Sequence, residues 1–387
     1  MTTVEILNKS LEKVAEIKNL YPINNQGMIL RYSKELSDYG KCTFRVRSND
    51  PLFTTYGDVL EPHKYHIRIK RDGTTVWQGG IVDNPQRTKN YVEVTGYEYL
   101  YYLDKILIRR SSVDPVTGDS NGLYRIFKTG TMSSVISTLI SEAASDFGSN
   151  HPLHTLATGT IENPDYPKGF TDGTTALTGA WIFSTNVSLQ YDFTTVYYVI
   201  KSFGMYTGAD FNIDENLKFN FQKFLGNKSN SLVFQYDTRG NIVDYNATRL
   251  GRRMVNDLWG IAVSSAGEKL HIEQSDSTSK NTYGKLEDAT GYSDVKDSNF
   301  LKQRITEDLR FTATPDSSPI NVLLNEKAYP LGQYDIGDIV TIKIKDNVIN
   351  VNQKRRIVGI TINLHNTGRE LVTVQTNTPR PEDTGAA

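Results

Sequence analysis

The chain has 387 residues, with 43 Lys and Arg against 44 Asp and Glu and a formal net charge of −1. That balance supplies no global electrostatic pull toward nucleic acid or an anionic membrane. Its single cysteine, Cys42, excludes an intrachain disulfide and a zinc ribbon. No stretch reaches the roughly 18 apolar residues of a membrane span, and the N-terminus has no apolar signal segment.

Residues 1–20 admit two readings. Val4, Leu7, Leu11, Val14 and Ile17 fit a helical face, yet a short strand could begin near Thr3. From Gly27 the pattern is β: MILRYS, a turn at Asp38-Tyr39-Gly40, then a second alternating run from Lys41 to Val46. Tyr65 to Gly96 reads as a three-stranded meander. Ile67 and Ile69 alternate with His66, Arg68 and Lys70; Asp72-Gly73 turns; a strand follows from Gly80; and Val92 and Val94 mark the last strand.

Leu100, Leu103, Ile106 and Leu107 share a helical face directly after it. The clearest helix runs from Thr131 to Phe147, with Val135, Ile136, Leu139, Ile140 and Ala143 as its stripe, a cap at Thr131 or Ser133 and a stop at Gly148. Residues 150–190 lack periodicity and read as an ordered loop or irregular β-extension. A second helix is expected over Phe193 to Met205, and a hairpin follows through Phe211, Ile213, Leu217, Phe219 and Phe221. Leu232 to Tyr236 is one more strand. Residues 240–300 read as an αβ mixture with a polar linker at Ser275–Asn281, and Phe300 to Leu309 as a short helix.

The last ordered stretch repeats the meander. Gly337-Asp338 leads in; Val340, Ile342 and Ile344 alternate with Thr341 and Lys343; Lys345-Asp346-Asn347 turns. A strand from Ile357 to Leu364 and one from Glu370 to Thr376, joined through His365-Asn366-Thr367-Gly368, complete it. IRIKRDG aligns with TIKIKDN, Gly80-Ile81 with Gly359-Ile360, and YVEVTG, which holds Val92, with ELVTVQT, which holds Val372. The reading is one β-meander present twice.

Sites for chemistry are few. His151 and His154 stand three apart in a loop broken by Pro152, with no third ligand in view. Carboxylates are many and no pair stands out for glycoside hydrolysis. Nucleophile-elbow, phosphate-loop and HExxH patterns are absent. Tyr97, Tyr99, Tyr101 and Tyr102 could stack on sugar, but at a strand-to-helix join they fit a core or interface better. Lys354, Arg355 and Arg356 fit a solvated strand edge. No catalytic residue, cofactor or metal is expected.

The order of these segments carries a resemblance: LRYSKELSDYGKCTFRV, the IRIK hairpin, VTGYEYLYYLDKILIRR, FNIDENLKFNF, Asn256-Asp257, Thr282-Tyr283-Gly284 and YDIGDIVTIKI. Together they resemble the tail-tip hub proteins of long-tailed bacteriophages, the tail-associated (Tal) minor tail proteins, relatives of the central hub of contractile tails. The resemblance implies a mainly β fold with α+β insertions: two tube-like β-domains related by internal repeat, plus a mixed outer domain. The first β-domain would be 1–110. The second would join 213–243 with 303–378. The outer domain would be 111–212 with 244–302, carrying the 150–190 insertion, and 379–387 would be a flexible tail.

As implied by the resemblance, the protein is a structural virion component at the tail tip or baseplate, made in the host cytoplasm. It would form a homotrimer that caps the tail tube or distal tail ring, adapts sixfold to threefold symmetry and meets fibre or tape-measure proteins. Phage DNA would pass through it, with Arg68, Lys70, Lys343 and Lys345 acid-paired or turned from the lumen. No membrane insertion is expected. The competing reading is a β-protein of a phage tail that binds or hydrolyses cell-wall glycan.

Overall fold

The computed structural model describes residues 2–108, 125–127, 131–162, 189–191, 194–228, 230–238, 240–247, 254–264, 267–292, 295, 298–313, 319–324, 332–347, 349–379 and 383. The ambiguous N-terminus is a hairpin. β1 (Thr2–Leu7) pairs antiparallel with β2 (Lys13–Ile17). Leu11, a member of the alternative helical face, has φ 60 between them, a conformation that no right-handed helix tolerates.

Seven further elements follow in order: β3 (Leu20–Tyr21), β4 (Met28–Glu35), β5 (Lys41–Arg47), α1 (Pro51–Tyr56), β6 (His66–Arg71), β7 (Thr74–Asp83) and β8 (Tyr91–Glu98). A mixed region holds α2 (Leu100–Leu103), β9 (Arg125–Phe127), α3 (Met132–Phe147), β10 (Ala157–Ile161), β11 (Leu189–Tyr191), α4 (Val196–Thr207), β12 (Asp210–Ile213) and β13 (Lys218–Gln222). Then come β14 (Val233–Tyr236) and β15 (Ile242–Ala247). A second mixed unit has β16 (Asp257–Val263), β17 (Lys269–Ser275), α5 (Ser277–Tyr283), β18 (Glu287–Gly291) and α6 (Ser298–Thr312). The chain ends with β19 (Ile320–Leu324), β20 (Ile339–Lys345), β21 (Asn350–His365) and β22 (Glu370–Asn377).

Fourteen strands make one sheet. Its order is β15-β19-β22-β21-β4-β5-β8-β7-β6-β1-β2; β14 joins through β20, β20 through β21 and β3 through β5. Inside it the repeat is larger than three strands. β4 pairs β5, β5 pairs β8, β8 pairs β7 and β7 pairs β6, all antiparallel. In the same way β15 pairs β19, β19 pairs β22, β22 pairs β21 and β21 pairs β20. The two five-strand units share strand order and direction. The second unit is harder to see in the sequence because residues 248–319 separate its first two strands.

A β-bulge fixes the register between the copies. β7 slips against β8 between Ile81 and Asp83, where Ile81 faces Gly96. β21 slips against β22 between Ile357 and Gly359, where Ile357 faces Thr376. Ile81 bonds back to the incoming chain at His63 and Tyr65, and Ile357 does the same at Gly337 and Asp338. Ile81 therefore corresponds to Ile357 and Asp83 to Gly359. Sequence matching had set Gly80-Ile81 against Gly359-Ile360, three residues too far. The extra bulge residue, and a β21 longer than β7, hide the true register. The structural register sets Val92 against Val372.

Both units feed one apolar core. Ile67, Ile69, Val94, Val340, Ile342, Ile344 and Val372 are fully buried in it, and Val92 nearly so. The β6–β7 turn places Asp72 at φ 49 and Gly73 at φ 85, the two left-handed positions of a two-residue hairpin loop. At Gly80 a Cβ would stand 2.0 Å from the Tyr102 hydroxyl, and at Gly337 (φ 88) 2.0 Å from the Leu225 carbonyl oxygen, so both positions require glycine. Gly359 meets no such limit: the nearest atom to an added Cβ is 3.5 Å away.

A second core belongs to the mixed region. α3 carries the expected stripe, capped by Thr131 in a reciprocal box with Ser134 and stopped at Gly148 (φ 65). The hairpin β12–β13 lies here and not with the second β-domain: β13 pairs parallel with β10, and Phe211, Phe219 and Phe221 pack with α3 and α4. β10 itself falls within 150–190, so that segment opens with a 3-10 turn at Pro152–Thr155 and then a paired strand; 163–188 lies outside the described residues. A third, small core packs β16 and β17 on Leu301, Ile305 and Leu309 of α6. The expected polar linker at Ser275–Asn281 is mostly helix α5, because Asp276 caps it by accepting from the Ser279 N–H at 2.8 Å and Gly284 ends it.

Candidate functional surface

Strand alternation leaves one face of the large sheet outside the core, and register aligns its side chains in rows across both copies. Asn246, Asn321 and Gln375 form one row. Leu323, Thr373, Thr361 and Ser33 form the next. Leu371, Asn363, Arg31, Thr43 and Thr95 form a third, running from β22 to β8. Across these rows amides and hydroxyls predominate, with Leu323 and Leu371 among them; register carries the rows on to Asp244, Glu35 and Asp83, so Arg31 stands among acidic neighbours. Beyond it Arg45 pairs with Glu93 at 2.7 Å and lies 4.3 Å over the Tyr91 ring.

The cations singled out in the meanders sit elsewhere. Arg68 and Lys70 on β6 approach Glu5 at 3.7 and 3.3 Å, and Lys13 joins them at 3.5 Å. Glu5 is 5% exposed and Glu16 also meets Lys13, so the three cations on β6 and β2 are offset in part by two carboxylates. Lys343 and Lys345 point to solvent on β20, which lies off the main order of strands. Asp338 is more than a turn residue. Its carboxylate accepts from the Asn227 N–H at 2.7 Å, the Asn230 amide at 3.0 Å and the Asp335 N–H at 3.1 Å, tying the loop before β14 to the loop before β20.

Two ion pairs hold the surface in place. Arg71, at the end of β6, reaches Glu370, at the start of β22, at 3.1 Å, and Thr2 also donates to Glu370. This pair clasps copy to copy. The second corrects the expectation of a solvated basic edge. Arg355 and Arg356 are buried, because β21 crosses from the solvent edge of β20 into the seam with the mixed region. Arg356 pairs with Asp210 of β12, donates to the carbonyls of Leu225 and Gly337, and stacks 3.9 Å over Phe224. Asp383, expected in a flexible tail, is buried there too and meets Lys228 at 3.2 Å.

The remaining candidates are structural. Tyr99 and Tyr102 are buried. Tyr97 and Tyr101 stack on each other at 4.8 Å, with Lys41 and Lys105 over them, so their faces are taken and a sugar has no open ring to lie on. His151 accepts from the Leu153 N–H, stacks on Phe147 and meets His66 edge to face. Burial pushes His66 down to about 3 and His151 down to about 4, neighbouring imidazoles adding to both. Among the described residues no group of three His, Cys, Asp or Glu is placed to hold a metal. Sequence reading missed Glu98. It accepts from the Gly40 N–H at 2.6 Å, and burial first, then Asp335 and Glu35, push its carboxyl up to about 7.

No known protein family matches the sequence, and no curated protein does. Solved structures do match in fold. The 43 kDa tail protein of prophage MuSo2 from Shewanella oneidensis aligns at TM-score 0.62 and 11% identity, covering 99% of each chain. The tail protein of Neisseria meningitidis MC58 aligns at 0.61 and 11%, covering 100% of this chain and 99% of that one. Prophage tail protein gp18 of Listeria monocytogenes EGD-e aligns at 0.55 and 10%, covering 99% and 97%. The fold is thus one shared with prophage tail proteins, along the whole chain.

Proposed function

We propose that the protein is a structural component of a phage tail tip, a homotrimeric hub without enzymatic activity. The observation that carries this reading is the duplicated five-strand unit. Two like units per chain and three chains give six units around one axis, a match for a sixfold tail tube on one side and a threefold partner on the other. The fold likeness to tail proteins supports the same setting.

The amide and hydroxyl face of the large sheet is then the lining of the central passage. Duplex DNA carries a charge at every phosphate, and a continuous basic stripe would hold it through many counterion-releasing contacts. Thr, Ser and Asn rows let it slide. Arg45 is matched one to one by Glu93, and Glu5 offsets part of the charge of Arg68 and Lys70, which fits that need. The test is mass in solution across micromolar concentrations. A trimer is expected; a monomer at every concentration would refute the hub reading.

A further inference from the structure

We infer that the outer edge of β15 docks on the β7–β8 arm of a second copy of this chain. Two kinds of joint then alternate around the ring, one strong and one weak. The inference rests on the trimer reading and names the surface that would make it.

The strong joint is inside the chain. β4, first strand of copy one, pairs with the far half of β21 from Gly359↔Glu35 to His365↔Met28. The duplication states what the matching strand of copy two should do. Leu30, Phe44 and Val94 stand in one row of the first unit; Tyr245, Val322 and Val374 stand in the same row of the second. Tyr245 on β15 is thus the counterpart of Leu30 on β4. Yet β15 ends the sheet, and among the described residues no strand pairs with its other edge. Val243 there is 52% exposed, and Asp244 and Asn246 are exposed beside it; the Tyr245 N–H donates to the Asp244 carboxylate at 2.8 Å, its ring packs on Tyr236 and its hydroxyl bonds to Asp346, so docking exchanges the Asp244 contact for a strand partner. An open edge of this kind is a template for another chain.

The bulge register names the receiver. Asp83 corresponds to Gly359, so 83–89 corresponds to 359–365, the stretch that receives β4. This arm is exposed apart from Asn84, and among the described residues no strand takes the place of β4 beside it. Transferring the in-chain pairing sets Tyr245 opposite Thr88 and Asn246 opposite Arg87 of the second copy. Asp244 then falls near Lys89, opposite charges at the right end of the joint. The joint is short because Pro85 offers no N–H and because Gln86 and Thr88 already bond toward Glu93 and Tyr91. A ring built this way parts at its inter-chain joints and releases folded chains with β4 still on β21.

The test uses the full chain carrying Asn246→Cys together with Arg87→Cys under mild oxidation, beside light scattering of the unmodified protein. Cys42 is buried, its thiol pushed up by desolvation, and stays silent. Covalent dimers and trimers are expected from the double variant and none from either single one. Asp244→Lys should raise the dissociation midpoint about fivefold, and adding Lys89→Asp should restore it. A trimer that gives no cross-link here, or that cross-links through Asn246→Cys with Val14→Cys on the opposite sheet end, would overturn this joint and leave the trimer standing. A protein that never leaves the monomer would overturn both.

Discussion

At the scale of single residues, buried ionisable groups set how stability follows pH. Glu98 is raised to about 7 against an ordinary 4.5, so the folded state favours its protonated form. Its contribution is complete below pH 4.5 and is lost as pH rises through 7. Glu98→Gln keeps an acceptor for the Gly40 N–H. It should melt like the parent at pH 5 and be more stable at pH 8, by at most about 3 kcal/mol. Equal shifts at both pH values would contradict this. The histidines act on the other side. His66 and His151 are held neutral, so stability is present above 6.5 and lost as pH falls toward 4 and 3. His66→Leu should move the midpoint of acid unfolding to lower pH, and an unchanged midpoint would show that His66 does not govern it. At Gly80 the limit is steric. Gly80→Ala drives a methyl into the Tyr102 hydroxyl and should cost about 2 kcal/mol or more in denaturant melts.

At the scale of elements, β21 does three tasks: it pairs with β20, then with β22, and on its far half with β4. Arg356 sits at the change-over. Arg356→Met leaves Asp210 buried without its cation and should cost about 3–5 kcal/mol, measured as a shift in urea midpoint with unchanged slope. A loss under 1 kcal/mol would mean that Asp210 relaxes to water. The meander strands, their turns at Asp72-Gly73 and Gly368, and the stripe and cap of α3 were legible because each rests on local alternation or on a left-handed position. What stayed hidden depends on distance. The hairpin at Phe211–Phe221 looked the same whichever sheet it joined, and Arg355 and Arg356 read as solvent-facing until Asp210 and Phe224 arrived from far upstream. Glu98 carried no local signal at all, because its burial comes from loops far apart in the chain.

At the scale of the whole molecule, the five-strand unit is present twice. One core spans both five-strand units, clasped by Arg71 and Glu370 and joined edge to edge by β4 and β21. The most direct test of the hub reading is an end-on electron-microscopy image of the purified protein at micromolar concentration. Six similar inner lobes are expected around a clear central passage, alternating in two kinds about a threefold axis. A particle with no threefold axis, or a threefold particle whose central wall contains only three sheet units, would contradict it.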